Sequence, residues 1–251
     1  MPDFCKVEND FIITHNRYSP QNAVYGFLGK EAPLKSHKFL LHLDKNTQEN
    51  RSRIINMFGE RYSHISILKQ VHGNRVVEVK DVPDLGEEHE ADAQVTNKKG
   101  ILLAIQAADC VPLLFIDQEN EVIGAAHAGW KGALEGVTLE TVKKMQGLGA
   151  KLPSVEVVIG PCIRKESYEV GAEFLEEFLL KDKNSKRFFI PGKKKEKYMF
   201  DLPGYIKGSL CGMGLRGVFD TKLNTFLMKE KFFSHRRKKH EGSILSVVGL
   251  R

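Results

Sequence analysis

Residues 108–117 read ADCVPLLFID and residues 122–132 read VIGAAHAGWKG. Each holds a short apolar run closed by residues that favour turns, which predicts two strands. The runs put Cys110 and His127 at their ends. His72 stands upstream in KQVHGNRV, residues 69–76. A thiol and two imidazoles held on strands and turns suggest two chemistries. One is a three-ligand metal site with an open position, and the other is a Cys–His nucleophile pair. Either makes this chain an enzyme.

The surrounding sequence continues in strands. Apolar segments predict strands at Phe11–Thr14, Val24–Leu28, Ala91–Thr96, Ile101–Gln106, Val111–Ile116, Val122–Ala126, Val155–Ile159 and Ser243–Val248. Ile65–Val71 and Arg75–Val79 flank His72-Gly73-Asn74, which predicts a hairpin or bend. Helical spacing predicts helices over Gly132–Gly147, Gly171–Leu180 and Leu202–Met213, with Leu139 off the apolar stripe of the first. Gly204, Gly208 and Gly212 weaken the last. Strands with helices outside them give an α/β or α+β layered sandwich. No linker divides residues 1–251, so one domain is expected.

Composition narrows the function. The chain has 251 residues, 41% hydrophobic, enough for a sizeable core. The opening residues carry no apolar leader core, and no run reaches the roughly 18 residues of a membrane span. The four cysteines, Cys5, Cys110, Cys162 and Cys211, include no C-x-x-C pair. Reduced thiols and a cytoplasmic location are expected, with no membrane partner. The net charge of +6 is concentrated in KKKEK (193–197) and HRRKKH (235–240). The first reads as a solvated loop after Pro191-Gly192. The second is either surface or a source of cations near an anionic ligand. Neither interleaves aromatics with basic residues, so no nucleic-acid partner is expected.

His72, Cys110 and His127 are 38 and 17 residues apart. Structural zinc sites are usually closed by paired short spacings, so three scattered ligands better fit a catalytic metal with one position open. Each residue alone has a plainer reading. A buried strand cysteine is usually a small hydrophobe, and a lone histidine is usually hydrogen-bonded or exposed. Asp109 tips the balance toward function, because a charge inside an apolar run is costly unless paired or working. The glycine-rich turn after His127, with Lys131, would suit a phosphate. Cys162 reads as a packed loop cysteine or a pocket-lining one. His89 and His240 read as surface residues.

Taken in order, KQVHGNRV, ADAQVT, ADCVPLLF, AAHAGWKG, IGPCI with SYEVG, and FFSHRR resemble the family variously called YfiH, laccase-domain, multicopper polyphenol oxidoreductase or peptidoglycan editing factor. The match spans roughly residues 64–249, and residues 1–60 fit less well. Asn50-Arg51 resembles a short motif of the family ahead of a helix. The resemblance implies a single sandwich-like domain and a zinc site at His72, Cys110 and His127. It implies purine nucleoside phosphorylase activity on adenosine, inosine and methylthioadenosine, with adenosine deaminase activity in the same site. Some members resemble amidases that edit a peptidoglycan precursor. The chain departs from the pattern at Asn224-Thr225, where Cys-Thr is usual, at His235, where Tyr is usual, and at Gly242-Ser243, where Gly-Arg is usual.

On this reading the partners are a small-molecule nucleoside and phosphate. Lys131, Arg75 and Arg236 are candidate phosphate-binding residues, and Trp130 is a candidate to stack on the base or to sit in the core. Asp109 would orient a ligand or shuttle a proton. Tyr168 and Glu169 would orient the loop that carries Cys162. An alternative is an amidase with Cys110 as nucleophile and His127 or His72 as base. Copper-dependent phenol oxidation is a third reading. A multicopper site needs many imidazoles, and this chain has nine histidines and no H-x-H pair. Copper would enter by substitution for zinc.

Overall fold

The computed structural model describes residues 5–8, 12–35, 45–80 and 89–251. Of Phe11, at the start of one expected strand, nothing is described.

Two six-stranded sheets stack face to face. The first runs in the order β1 (Cys5–Glu8), β2 (Ile12–His15), β3 (Ala23–Leu28), β15 (Ile244–Leu250), β7 (Ile101–Ala107) and β4 (His64–Ile67). The second runs β14 (Gly217–Asp220), β10 (Glu156–Ile159), β8 (Val111–Asp117), β9 (Val122–Ala128), β6 (Ala93–Thr96) and β5 (Val76–Glu78). A small third sheet is made of β11 (Glu169–Gly171), β13 (Lys197–Phe200) and β12 (Phe189–Pro191).

The continuous apolar runs follow from this stacking, because their strands are buried on both faces. Along β8, Leu114 and Ile116 point into the core between the sheets, whereas Leu113 and Phe115 point outward under helices. Along β7, Leu103 and Ile105 face the intersheet core, and Leu102 and Ala104 face the other side. That other side is covered by α1 (Lys45–Phe58) through Ile54 and Phe58. The outer face of the second sheet is covered by α3 (Val137–Gly147) and α5 (Leu202–Cys211). Beside them, α4 (Ala172–Lys181) packs Phe174 and Phe178 into an aromatic cluster with Phe189 and Phe200 of the third sheet. The expected layered sandwich with flanking helices is therefore what forms.

Several expectations are corrected. The segments around His72 are no hairpin: β4 belongs to the first sheet and β5 to the second. The helix expected over 132–147 is two helices, α2 (Trp130–Glu135) and α3, broken at Gly136 with φ of +87°. A left-handed residue ends a helix, and glycine adopts it without strain. Leu139 is exposed, as its place off the stripe implied. Asn50 and Arg51 lie inside α1, not ahead of it. The strands β1 and β11 to β14 are short segments that periodicity did not single out.

Gly160, just beyond β10, sits where the sheets meet most closely. A Cβ there would lie 2.8 Å from Pro112 Cγ and closer still to the Phe27 ring. Both neighbours belong to packed strands, so Gly160→Ala is expected to cost about 1–3 kcal/mol, as overpacking does. A thermal or denaturant melt measures it; an unchanged midpoint would contradict this packing.

Candidate metal centre and cavity

Four connections cross between the sheets, and two of them carry candidate ligands. The β4–β5 connection carries His72, and the tight β7–β8 connection, Ala108-Asp109-Cys110, carries Cys110. His127 lies on β9, opposite Pro112 of β8 in the antiparallel register. Cys110 precedes β8, so the pairing itself brings thiol and imidazole together. The three donor atoms lie within 4.8 Å of one another. The His72 and His127 rings meet edge to face with centroids 4.7 Å apart.

Asp92 organises the centre from behind. It is fully buried. Its Oδ1 accepts hydrogen bonds from His127 Nδ1 at 2.8 Å and the His72 backbone N–H at 2.9 Å. Its Oδ2 accepts from the N–H groups of Val71 at 3.1 Å and Gly73 at 2.7 Å. Its carbonyl accepts from the His127 N–H at 2.7 Å. Burial alone would raise the Asp92 carboxyl, but the His127 bond and the loop N–H groups hold it below its ordinary value. With Nδ1 engaged, His127 is left with Nε2 to face Cys110.

The loop geometry is strained in ways these bonds sustain. His72 has φ of +64° and Asp109 has φ of +84°, left-handed conformations uncommon for residues with a Cβ. Gly129, which precedes α2, has no room for a side chain. A Cβ there would lie 2.9 Å from His72 Cδ2 and 3.3 Å from Cys110 Sγ. At Gly132 a Cβ would lie 2.6 Å from the Gly73 carbonyl oxygen. The glycines of HAGWKG thus let α2 press against the His72 loop.

The ionisation of the centre is coupled. Burial pushes the Cys110 thiol up, but the His127 charge and hydrogen bonds from both imidazoles bring it down to about 6. Burial pushes His127 down, but the Cys110 thiolate and the Asp92 carboxylate raise it to about 9. In metal-free protein the coupling favours the thiolate–imidazolium form of the pair. Cys162 behaves oppositely: fully buried in the helix-side core, its thiol is raised to about 12. It is a packed cysteine and does not line the cavity.

The three ligands lie in the wall of a cavity of about 480 Å³. Trp130 lines it and also packs on Phe174, with centroids 4.7 Å apart. Tyr168 and Leu202 line the wall on the side of the third sheet and α5. Arg236 lines it too, its guanidinium 5.3 Å from the Tyr168 ring and bonded through Nη1 to the Glu169 carbonyl at 2.9 Å.

Two expected phosphate ligands lie elsewhere. Arg75 sits in a separate surface cleft with Glu140 and Lys144, its Nη1 on the Glu90 carbonyl. Lys131 is exposed on α2, with its ammonium over the Trp130 ring and outside the cavity lining. The helical twist sends these side chains away from the neighbours their sequence positions suggest. His240 is exposed, as expected, and also lines the cavity with His235, the rings 5.7 Å apart. Arg237 is tied to the carbonyls of Thr225, Phe226 and Phe232.

Asp109 lines the cavity, but both its oxygens are engaged. Oδ1 accepts from Thr225 Oγ1 at 2.7 Å, and Oδ2 accepts from Ser234 Oγ at 2.9 Å and the Arg236 N–H at 2.7 Å. It clasps the 225–236 segment, and so the wall carrying His235 and Arg236, to the Cys110 turn. These three bonds hold the carboxylate in place and tie the two walls of the cavity together.

Sequence reading overlooked Asp92, Gln70 and Gln106 as site residues. The signal for Asp92 was the one used for Asp109, a carboxylate beside an apolar strand.

A family model described as multi-copper polyphenol oxidoreductase laccase matches residues 41–251. The chain belongs to this family. It is 40% identical over 196 residues to a protein of Rickettsia conorii named purine nucleoside phosphorylase, covering 76% of this chain and 78% of that one. It is 33% identical over 206 residues to the Escherichia coli protein named purine nucleoside phosphorylase YfiH, covering 82% and 81%. In fold it resembles the Bacillus licheniformis hypothetical protein YfiH with a TM-score of 0.84, at 24% identity over 99% of this chain and all of the other.

Two outcomes are expected. Asp92→Asn should weaken metal binding by about 10–100-fold, as loss of a carboxylate behind a histidine ligand does; competition with a chromogenic chelator reads it. In metal-free protein, alkylation of Cys110 should rise with pH through about 6 and level off as the thiolate fills, while Cys162 stays unreactive. Peptide mapping resolves the two. A Cys110 profile that rises only near the free-thiol pKa would overturn the thiolate–imidazolium pair.

Proposed function

We propose that this chain is a zinc-dependent purine nucleoside phosphorylase acting on adenosine, inosine and methylthioadenosine, with adenosine deaminase activity in the same site. The observation that carries this reading is the His72–Cys110–His127 donor set in the wall of a cavity of about 480 Å³. A nucleoside-sized ligand suits that volume. Relatives named purine nucleoside phosphorylase support the reaction class.

The donor set fits zinc. Two imidazoles and a thiolate form a recognised three-ligand set, one imidazole is already oriented by a carboxylate, and the thiol is readily deprotonated. Zinc, when bound, would supply Lewis acidity toward the purine. The chain's own residues do the rest. Trp130 and Tyr168 offer aromatic surface to the base. Arg236, with His235 and His240 beside it, supplies cationic or hydrogen-donating groups for phosphate on the wall clasped by Asp109. Burial of the substrate excludes water, which favours phosphate over hydrolysis as the acceptor of the sugar.

The same reading makes residues 1–251 one domain acting in the cytoplasm on small molecules, with no nucleic-acid or membrane partner. No helix among the described residues is long and apolar enough to cross a membrane.

One observation favours a second reading. Asp92, His127 and Cys110 are also ordered as orienting carboxylate, base and nucleophile, the arrangement of a thiol amidase. Copper would support phenol oxidation only after replacing zinc.

Purified protein given inosine or adenosine is expected to release free base only with phosphate present, with matching sugar phosphate. Cys110→Ala should lower kcat/KM by more than about 100-fold, beyond the loss of a supporting partner. Base release at the same rate without phosphate, or none, would sink the phosphorylase reading. Metal analysis of protein prepared without added copper should find zinc. Metal-free protein that stays active until its thiol is alkylated would favour the amidase.

A further inference from the structure

Gln106 lines the cavity from β7 and is 8% exposed. Its backbone is held by another glutamine. The Gln106 N–H donates to Gln70 Oε1 at 2.9 Å, and its carbonyl accepts from Gln70 Nε2 at 2.7 Å. Gln70 thereby continues the sheet edge where β4 stops, since β4 pairs with β7 only as far as Ile67 opposite Ala104. Among the described cavity-lining residues, Gln70 and Gln106 are the two with carboxamides. Gln70 uses both ends of its own on that backbone. The Gln106 carboxamide makes no hydrogen bond to any described residue.

Its polar atoms are not sealed in the interior but border the cavity, where they are open to hydrogen bonds from a ligand. The amide presents a donor and an acceptor in one plane about two atoms apart. The complement is a planar edge with one acceptor beside one donor. A purine carries such an edge where its ring nitrogen adjoins the 6-substituent. Hypoxanthine offers N1–H beside O6. Adenine offers its 6-amino group beside N1 or N7, and glutamine forms a bidentate pair with the adenine N6/N7 edge in other settings. Rotation of the amide by half a turn serves either base. The charged groups of the cavity cannot do this alone, because an ionised Asp109 only accepts and Arg236 only donates.

We propose that Gln106 is the specificity-determining residue that reads the 6-substituted edge of the purine base. The inference rests on the purine reading of the cavity, and it concerns recognition, not turnover.

Binding to the metal-loaded protein tests it, with hypoxanthine, adenine and unsubstituted purine as probes in calorimetry. The two substituted bases are expected to bind tighter than purine by on the order of tenfold, the scale of one or two net hydrogen bonds. Gln106→Met keeps the side-chain length and should abolish that margin, weakening both substituted bases more than purine, which has fewer groups for the amide to pair. Gln106→Leu gives the same comparison if the methionine variant does not fold. A margin that survives in the variant, a wild-type protein with no margin, or one that binds none of the three bases would overturn the proposal. A protein that shows the margin and its loss, yet releases no base in phosphate, would leave Gln106 as the reader and overturn phosphorolysis alone.

Discussion

One buried carboxylate holds the centre together. Asp92 accepts four hydrogen bonds through its side chain, three from the loop 71–73 and one from His127. Two of the three candidate ligands therefore depend on the same two oxygens. In a low-dielectric interior such a group is either fully satisfied or very costly, so its bonds act as a unit. The His72 loop keeps its left-handed backbone because Asp92 gathers its N–H groups. The His127 ring keeps one nitrogen turned toward Cys110 for the same reason.

Asp109 does the corresponding work at the other wall. It too has a left-handed backbone, and it too spends both oxygens on groups distant in sequence. It joins the Cys110 turn to Thr225, Ser234 and Arg236. The two aspartates fix the ligands from one side and the basic wall from the other. The cavity between them is shaped by the groups these two carboxylates hold in place. Strain at His72 and Asp109 is concentrated where the sheets exchange strands, and it is offset by these networks.

The position of the site follows from topology. The chain crosses between the sheets at residues 68–75 and again at 108–110. Those crossings stand beside each other because β7 pairs with β4 in one sheet while β8 pairs with β9 in the other. The glycines of the HAGWKG turn then allow α2 to close against the His72 loop. Every candidate ligand stands on a connection or strand end anchored in the stacked sheets.

The long apolar strands β7, β8, β9, β10 and β15 were legible in the sequence, because burial on both faces writes a continuous apolar run. The short edge strands of the third sheet were not, since three or four residues carry no measurable period. The triad of His72, Cys110 and His127 was also legible, as residue types that are costly or reactive among apolar strands. Sequence alone placed Lys131 and Arg75 at the site by proximity along the chain, and the structure turns both away, because adjacent residues on a helix or turn point in different directions. It passed over Asp92 and Gln106. Those two acquire their places only from contacts across 19 to 36 residues. The sequence by itself determined which strands would be buried and which side chains could carry chemistry. Which polar groups satisfy one another and which, like Gln106, are left to border the cavity emerges only on folding, because hydrogen-bond satisfaction is a property of the assembled interior.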